Sequence, residues 1–91
     1  MIQLTGYIDI PEDRFATVIA ALPEHIKRTR QEPGNVAFEV KQSESVPFRL
    51  EVDETFMNLD AFKRHQDRTA LSHWAEITRD IPRKFKMEEL I

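Results

Sequence analysis

The sequence predicts an α+β fold in which a four-stranded antiparallel sheet carries helices on one face. Segments with apolar residues at every second position occur early, in the middle and near the end of the chain, which is typical of half-buried strands. Two segments with apolar residues at helical spacing lie between them. The predicted order is therefore strand, helix, strand, strand, helix, strand.

The first strand and the first helix follow from their apolar spacing. In MIQLTGYIDI, apolar residues at positions 2, 4, 8 and 10 alternate with other residues, so one side of this strand faces a core. Pro11 suits the first position of a helix, and Pro23 predicts a kink or a restart at Leu22. The apolar stripe of this helix consists of Phe15, Val18, Ile19, Leu22 and Ile26.

A hairpin follows the first helix. In EPGN at 32–35, Pro33 and Gly34 suit the two central positions of a type II turn. The next strand is marked by Val36, Phe38 and Val40, and the third runs from Phe48 to Phe56 after a reversal around Pro47. These two strands are expected to pair antiparallel.

The second helix and the last strand complete the pattern. Asn58 is a good N-cap for a helix from Leu59, and Asp67 is placed to cap a continuation through Ile77 after a break near His65. A short fourth strand is indicated around Phe85 and Met87, beyond Pro82. This order is the split β-α-β arrangement called ferredoxin-like, with the helices on one sheet face.

Composition restricts the class of protein. The 91 residues are 41% hydrophobic and 32% charged, with net charge −3 and no cysteine, which indicates one globular domain over 1–91 without disulfides or thiolate chemistry. Charges of both signs are interspersed, which disfavours nucleic acid binding. No apolar stretch approaches the roughly 20 residues that cross a bilayer, and the first residues lack a secretory signal pattern. We therefore expect a cytoplasmic protein that binds neither membranes nor nucleic acid.

Two titratable residues occupy positions where the pattern calls for apolar side chains. Glu54 has the phase of the apolar residues before it in the third strand, and His65 continues the apolar spacing of its helix. Their ordinary alternatives are a carboxylate at a strand end and a core histidine bonded to a backbone carbonyl. If they share a cleft, burial raises the pKa of Glu54, and His65 accepts a proton from an acidic substrate hydroxyl.

Other candidate residues carry weaker signals. Trp74 fits the apolar stripe of the last helix, which favours packing, and Arg68 either anchors an acidic oxygen of a ligand or is solvated. His65 and His73 are about 12 Å apart on a straight helix, too far to share one ion. With no flavin fingerprint or phosphate loop in the chain either, we expect neither a metal nor a cofactor.

Two runs of the sequence resemble a known family. TRQEPGNVAFEV at 29–40 and FRLEVDETFMNLDAFKRHQDRTALSHW at 48–74 are similar to the antibiotic biosynthesis monooxygenase superfamily, including its small quinol monooxygenases. The most characteristic parts are EPGN, Glu54 two residues before Phe56, and the AFKRH helix segment that ends in His65. The resemblance implies a ferredoxin-like fold and a homodimer whose sheets face each other as an α/β barrel. It also implies oxygenation of phenolic or quinol substrates by dioxygen without flavin, metal or haem.

The resemblance assigns roles to the candidate residues. A cofactor-independent monooxygenase for a small aromatic hydroxyl compound would use His65 as proton acceptor and Glu54 to orient His65 or the substrate. The substrate-binding residues would be Phe56, Phe62, Arg68 and Trp74. The alternatives are a dimeric module that binds a small ligand without catalysis, and an isomerase or lyase on the same scaffold.

The sequence departs from the family pattern at two places. Phe56 stands where tryptophan is common. Haem-degrading relatives use an asparagine on the first strand, where this chain offers only Thr5, Gly6 or Tyr7. Haem degradation is therefore not expected.

Overall fold

The computed structural model of the chain describes residues 1–90, which form four strands and three helices. The strands are β1 (Ile2–Asp9), β2 (Asn35–Gln42), β3 (Arg49–Phe56) and β4 (Arg83–Glu89); the helices are α1 (Phe15–Arg30), α2 (Leu59–Ala70) and α3 (His73–Thr78). A single 3₁₀ turn, Glu12–Arg14, precedes α1. All strand pairs are antiparallel and the strand order is β2-β3-β1-β4. The predicted ferredoxin-like arrangement is therefore confirmed.

The two faces of the sheet differ in character. Leu50 on β3 lies opposite Ile8 on β1, and Glu54 lies opposite Leu4; this face is covered by the helices. On the other face, Arg49 bonds Asp9 and stacks over the Tyr7 ring at 3.6 Å. The sheet is open, with β2 and β4 at its edges, so the barrel between two copies stays a prediction.

The apolar core consists of two clusters with a polar region between them. Along β3, Leu50 belongs to one cluster and Phe56 to the other, and Glu54 lies between these two residues. The first cluster contains Ile8, Ile10, Val18, Leu50 and Ile81, and the second contains Ile2, Phe56, Ala61 and Phe62. The sequence thus buries a carboxylate at a point where the apolar core is interrupted.

A helix restart at Leu22 and a helix break near His65 are both wrong as predictions. α1 runs from Phe15 to Arg30 without a restart at Leu22, because buried residues on both sides of Pro23 hold the helix against the sheet. The break between α2 and α3 lies after Ala70 rather than near His65. Ser72 causes it: its hydroxyl accepts from the N–H of Ala75 at 3.2 Å and donates to the carbonyl of Thr69 at 2.6 Å. His65 therefore remains inside an unbroken helix.

The turn before β2 and the loop between β2 and β3 differ in how well the sequence predicts them. At 32–35, the Asn35 N–H donates to the Glu32 carbonyl at 3.1 Å, and Gly34 has φ 90°, as a type II turn requires. A Cβ on Gly34 would come within 2.5 Å of the Ala61 side chain on α2, so this turn packs closely on that helix. The third strand begins one residue later than predicted, because Phe48 has the left-handed φ of 61°.

Candidate active site

A cavity of about 500 Å³ lies between the sheet and the helices, a size typical of pockets for small molecules. Its sheet side is apolar and is provided by residues such as Leu4, Leu50 and Val52. Glu54 and His65 also line it. The cavity therefore combines apolar walls with a small number of titratable groups.

Glu54 and His65, predicted to share a pocket, are neighbours in this cavity. The His65 Nε2 and Glu54 Oε2 atoms are 3.8 Å apart, which is longer than a direct hydrogen bond. The two residues are only 6% and 7% exposed. β3 delivers Glu54 to the helix-facing side of the sheet, and α2, capped by Asn58 through the Ala61 N–H at 2.9 Å, returns across that strand.

Glu32 is part of the same network, although no pattern in the sequence indicated it. The Nδ1–H of His65 donates to Glu32 Oε1 at 2.6 Å, and Arg68 Nε donates to Glu32 Oε2 at 2.5 Å. A second Arg68 nitrogen donates to the Thr29 hydroxyl at 3.2 Å. Since Nδ1 carries the proton that Glu32 accepts, neutral His65 presents the lone pair of Nε2 towards Glu54.

Burial sets the protonation of the Glu54–His65 pair. Burial, followed by the charges of Glu32 and Asp53, raises the pKa of Glu54 to about 7. Burial lowers the pKa of His65, and the hydrogen bond from His65 to Glu32 opposes that shift. The pair therefore gains or loses one proton near neutral pH. Because the two groups are coupled, this proton is assigned to the pair and not to either residue alone.

The remaining predicted site residues divide between two places. Phe62 and Trp74 line the cavity together with Glu54 and His65. Phe56 is fully buried behind the site, with its ring centroid 4.8 Å from that of His65.

Arg68 is turned away from the main cavity. Its guanidinium bonds Glu32 and Thr29, and it lines a second cavity of about 560 Å³ beside α1 and α3. The geometry therefore makes Arg68 a partner of Glu32, where the sequence suggested a direct anchor for a ligand oxygen.

His25 is a second buried histidine beside the site, and it was not among the predicted site residues. It lines both cavities and stacks on Trp74, with ring centroids 4.6 Å apart and planes within 4°. Burial lowers its pKa to about 3, and the charges of His65 and Arg68 add to the shift. The seven-residue spacing from Val18 to His25 indicates the same helix face and is the signal that could have placed it in the core.

Other kinds of site find little support in the described part of the chain. No group of three or more His, Cys, Asp or Glu side chains within residues 1–90 is placed to hold a metal ion. None of the helices in that range has the length and apolar character that a membrane span needs.

Comparisons with known proteins relate this architecture to a family. The family model described as antibiotic biosynthesis monooxygenase matches residues 1–77. No curated protein is a significant match to the sequence.

Solved structures share the fold over nearly their full length. A protein from Nitrosomonas europaea, assigned as an antibiotic biosynthesis monooxygenase, is 21% identical with a TM-score of 0.87, covering 100% of this chain and 99% of that one. A similarly assigned protein from Deinococcus radiodurans is 22% identical with a TM-score of 0.81, covering 99% and 92%. A variant of SnoaB, a cofactor-independent oxygenase from Streptomyces nogalater, is 11% identical with a TM-score of 0.81, covering 98% and 91%. At these identities the likeness shows a common fold.

Proposed function

The chain belongs to the antibiotic biosynthesis monooxygenase family, and on this premise we propose that it is a cofactor-independent monooxygenase of small phenolic or quinol compounds. Membership and the monooxygenase-named neighbours support a general monooxygenase-like role. The observation that carries the finer proposal is the Glu54–His65 pair, 3.8 Å apart in an otherwise largely apolar cavity. Such a pair suits removal of a proton from an aromatic hydroxyl.

The reaction needs no electrons beyond those of the substrate. The Glu54–His65 pair takes the hydroxyl proton, and the aromatic anion passes one electron to dioxygen, giving superoxide and a substrate radical. These recombine to form a carbon–oxygen bond, and the pair returns its proton to make a hydroperoxide. Loss of the hydrogen on that carbon and cleavage of the oxygen–oxygen bond release water and leave a carbonyl. One phenol and one dioxygen thus give one quinone and one water.

Each residue of the network has a separate task in this proposal. His65 Nε2 and the Glu54 carboxyl hold the transferred proton. Glu32 fixes the tautomer and the orientation of the His65 ring and is a positioning residue. Phe62 and Trp74 provide an apolar wall that keeps water from the oxygenated intermediate.

The proposal includes a cytoplasmic homodimer built from one 1–91 domain per copy. The open edges of β2 and β4 support association, since exposed strand edges favour pairing with another chain. Sedimentation at micromolar concentration measures this directly, and a stable monomer would contradict the dimer.

Oxygen uptake tests the reaction. The protein is incubated at pH 7 with 1,4-dihydroxybenzene or 1,4-dihydroxynaphthalene, and uptake is compared with the rate without protein. Labelled dioxygen should place one labelled atom in the quinone and one in water. His65→Gln should reduce the excess rate by about 10²-fold or more, and His73→Gln, which changes a histidine with a 72% exposed side chain, should leave it unchanged. Absence of excess uptake across the substrates would refute the monooxygenase in favour of a ligand-binding module.

A further inference from the structure

Most arginines of this chain are already neutralised by a carboxylate. Of the eight arginines in the sequence, five are in ion pairs: Arg14–Asp80, Arg28–Glu24, Arg30–Glu39, Arg49–Asp9 and Arg68–Glu32. The other three, Arg64, Arg79 and Arg83, make no such pair within residues 1–90. Two of these three, Arg79 and Arg83, line the main cavity.

The two cavity arginines are held in place by neutral acceptors. Arg83 Nε donates to the Ile81 carbonyl at 3.2 Å, and its terminal nitrogen donates to the Thr78 carbonyl. Arg79 donates to the carbonyl of Ala70 at 3.1 Å. Carbonyl groups orient a guanidinium without cancelling its charge, so each arginine keeps N–H groups and a positive charge for a further partner.

Within residues 1–90, the carboxylate that acts on Arg83 from nearby is that of Asp80, and it already has a partner. Asp80 accepts two bonds from Arg14, at 2.9 and 3.0 Å, and its charge only partly opposes the effect of burial, which lowers the pKa of Arg83. An anion entering the cavity therefore does not need to displace an existing ion pair from this end.

By strand register, Arg83 and Glu54 lie towards opposite ends of the cavity wall that the sheet provides. Arg83 on β4 is opposite Ile8 of β1, whereas Glu54 on β3 is opposite Leu4. Ile8 is four positions after Leu4 on β1, which is about 13 Å along the strand, and the two flanking strands add a lateral offset of about 10 Å. Both side chains line the cavity, and a span of this order suits a compound of one or two aromatic rings between them.

The wall between the two ends is apolar and close to the sheet. Phe85 on β4 and Val52 on β3 line the cavity on either side of Gly6. A Cβ on Gly6 would come within 2.8 Å of the Phe85 ring, so the missing side chain lets that ring lie against β1. A flat apolar ring fits against this wall, with polar substituents directed to the two ends.

From this placement we propose that the cavity selects aromatic hydroxyl compounds that carry a carboxylate, with the hydroxyl at the Glu54–His65 pair and the carboxylate at Arg79 and Arg83. The inference rests on the proposed function and names its substrate class. A guanidinium is well suited to this task because its N–H groups can bind both oxygens of a carboxylate.

Binding can be measured without the oxygenation reaction. Trp74 is the only tryptophan of the chain and lines the cavity, so its fluorescence reports on occupancy, and calorimetry gives a second readout. The probes are 4-hydroxybenzoate and its neutral analogue 4-hydroxybenzamide, which differ mainly in charge at one end. We expect the benzoate to bind at least tenfold more tightly, and high salt to reduce that preference.

Substitutions then assign the preference to the two arginines. Arg83→Gln and Arg79→Gln should each reduce the preference for 4-hydroxybenzoate over 4-hydroxybenzamide. The double variant should remove this preference, whereas Arg83→Lys should retain part of it. Arg64→Gln changes an arginine that neither lines the cavity nor forms an ion pair within residues 1–90, and it should leave the preference unchanged. Equal binding of both probes to the unchanged protein, or an equal effect of Arg64→Gln, would overturn the inference.

The same compounds separate this inference from the proposed reaction. With 2,5-dihydroxybenzoate and 1,4-dihydroxybenzene as substrates, the acid should show the lower KM, and Arg83→Gln should raise only that KM. Carboxylate preference in binding without any oxygen uptake would support the arginine end and refute the monooxygenase. Oxygen uptake with the same KM for both substrates would support the monooxygenase and refute the binding of a carboxylate by the arginines.

Discussion

His65 and His25 are both buried beside the same cavity, yet their surroundings prepare them for different tasks. Their ring centroids are 6.4 Å apart, and both residues are less than a tenth exposed. His65 has a carboxylate facing each nitrogen. His25 lies flat against Trp74 and edge-on to Phe38, and its Nδ1 has no hydrogen-bond partner within residues 1–90.

The difference shows that equal burial leaves two histidines with different charges around them. Burial lowers the pKa of both rings because it penalises the charged form. At His65, the negative charge of Glu32 opposes this shift, so protonation stays accessible. At His25, the neighbouring positive charges add to it, and the pKa falls to about 3. We therefore interpret His65 as a proton acceptor and His25 as an aromatic wall.

The largest expected effect separates the two histidines by activity. His65→Gln should lower kcat/KM by about 10²-fold or more, the usual contribution of a general base. His25→Phe keeps a flat ring against Trp74 and should change kcat/KM by less than about threefold, a difference below 1 kcal/mol. Initial rates of oxygen uptake on both purified variants test this. Equal losses in the two variants would contradict the division of roles.

The next effect concerns the free energy of unfolding, which Glu54 and His25 change in opposite directions as the pH rises. The raised pKa of Glu54, about 7, means that the native state holds a proton that the unfolded chain releases above about pH 4.5, so stability falls as pH rises from 4.5 to 7. The lowered pKa of His25 means that the unfolded chain binds a proton first, so stability falls as pH drops below about 6.5. From pH 4.5 to 6.5, where both groups act, each changes the free energy of unfolding by about 3 kcal/mol.

Urea unfolding between pH 4.5 and 8 should resolve these opposing contributions. In the unchanged protein they largely cancel. Glu54→Gln removes the first contribution, so this variant should lose stability on acidification from pH 6.5. His25→Phe removes the second, so this variant should gain stability on acidification from pH 7. Parallel stability profiles for all three proteins would show that neither group is buried as described.

The fold and the inward positions of Glu54 and His65 follow from the periodicity of apolar residues in the sequence. Strand phase placed Glu54 on the helix side, because a slip of one residue would expose the apolar set of β3. Helical spacing likewise placed His65 inward. Both predictions use patterns that repeat along an element, and such patterns determine which face a residue occupies.

The missed features depend on contacts that no repeating pattern encodes. Glu32 was assigned to a turn, and the direction of a turn side chain depends on how that turn packs, here against α2. The helix break was assigned to Asp67, whereas the cap bonds that begin α3 are made by Ser72. Arg79 and Arg83 reach the cavity from a segment far from Glu54 in the sequence. Their role could not be inferred before the strands were paired.

A smaller effect is expected when Glu32, the carboxylate that bonds His65 and not His25, is replaced by glutamine. Glu32→Gln should lower kcat about tenfold, since the His65 ring loses its charged anchor. The charge of Glu32 raises the pKa of both Glu54 and His65, so its removal should also shift the acidic limb of the pH–rate profile to lower pH. Glu39→Gln, at a side chain that is 77% exposed, is the matched control. An unchanged pH profile would mean that Glu32 has only a structural role.

The smallest expected effect concerns the stack between His25 and Trp74. If His25 acts as a wall, its interaction with Trp74 is a packing energy, and pairs of stacked rings contribute about 0.5 to 1.5 kcal/mol beyond their buried area. A double-mutant cycle with His25→Leu, Trp74→Leu and both together isolates this coupling from the cost of each truncation. Urea unfolding monitored by circular dichroism avoids dependence on the tryptophan signal. At pH 7 and pH 5 the coupling should be the same, because a ring with a pKa of about 3 is neutral at both. A coupling that disappears at pH 5 would show that His25 takes up a proton in this range, and the contrast with His65 would then be wrong.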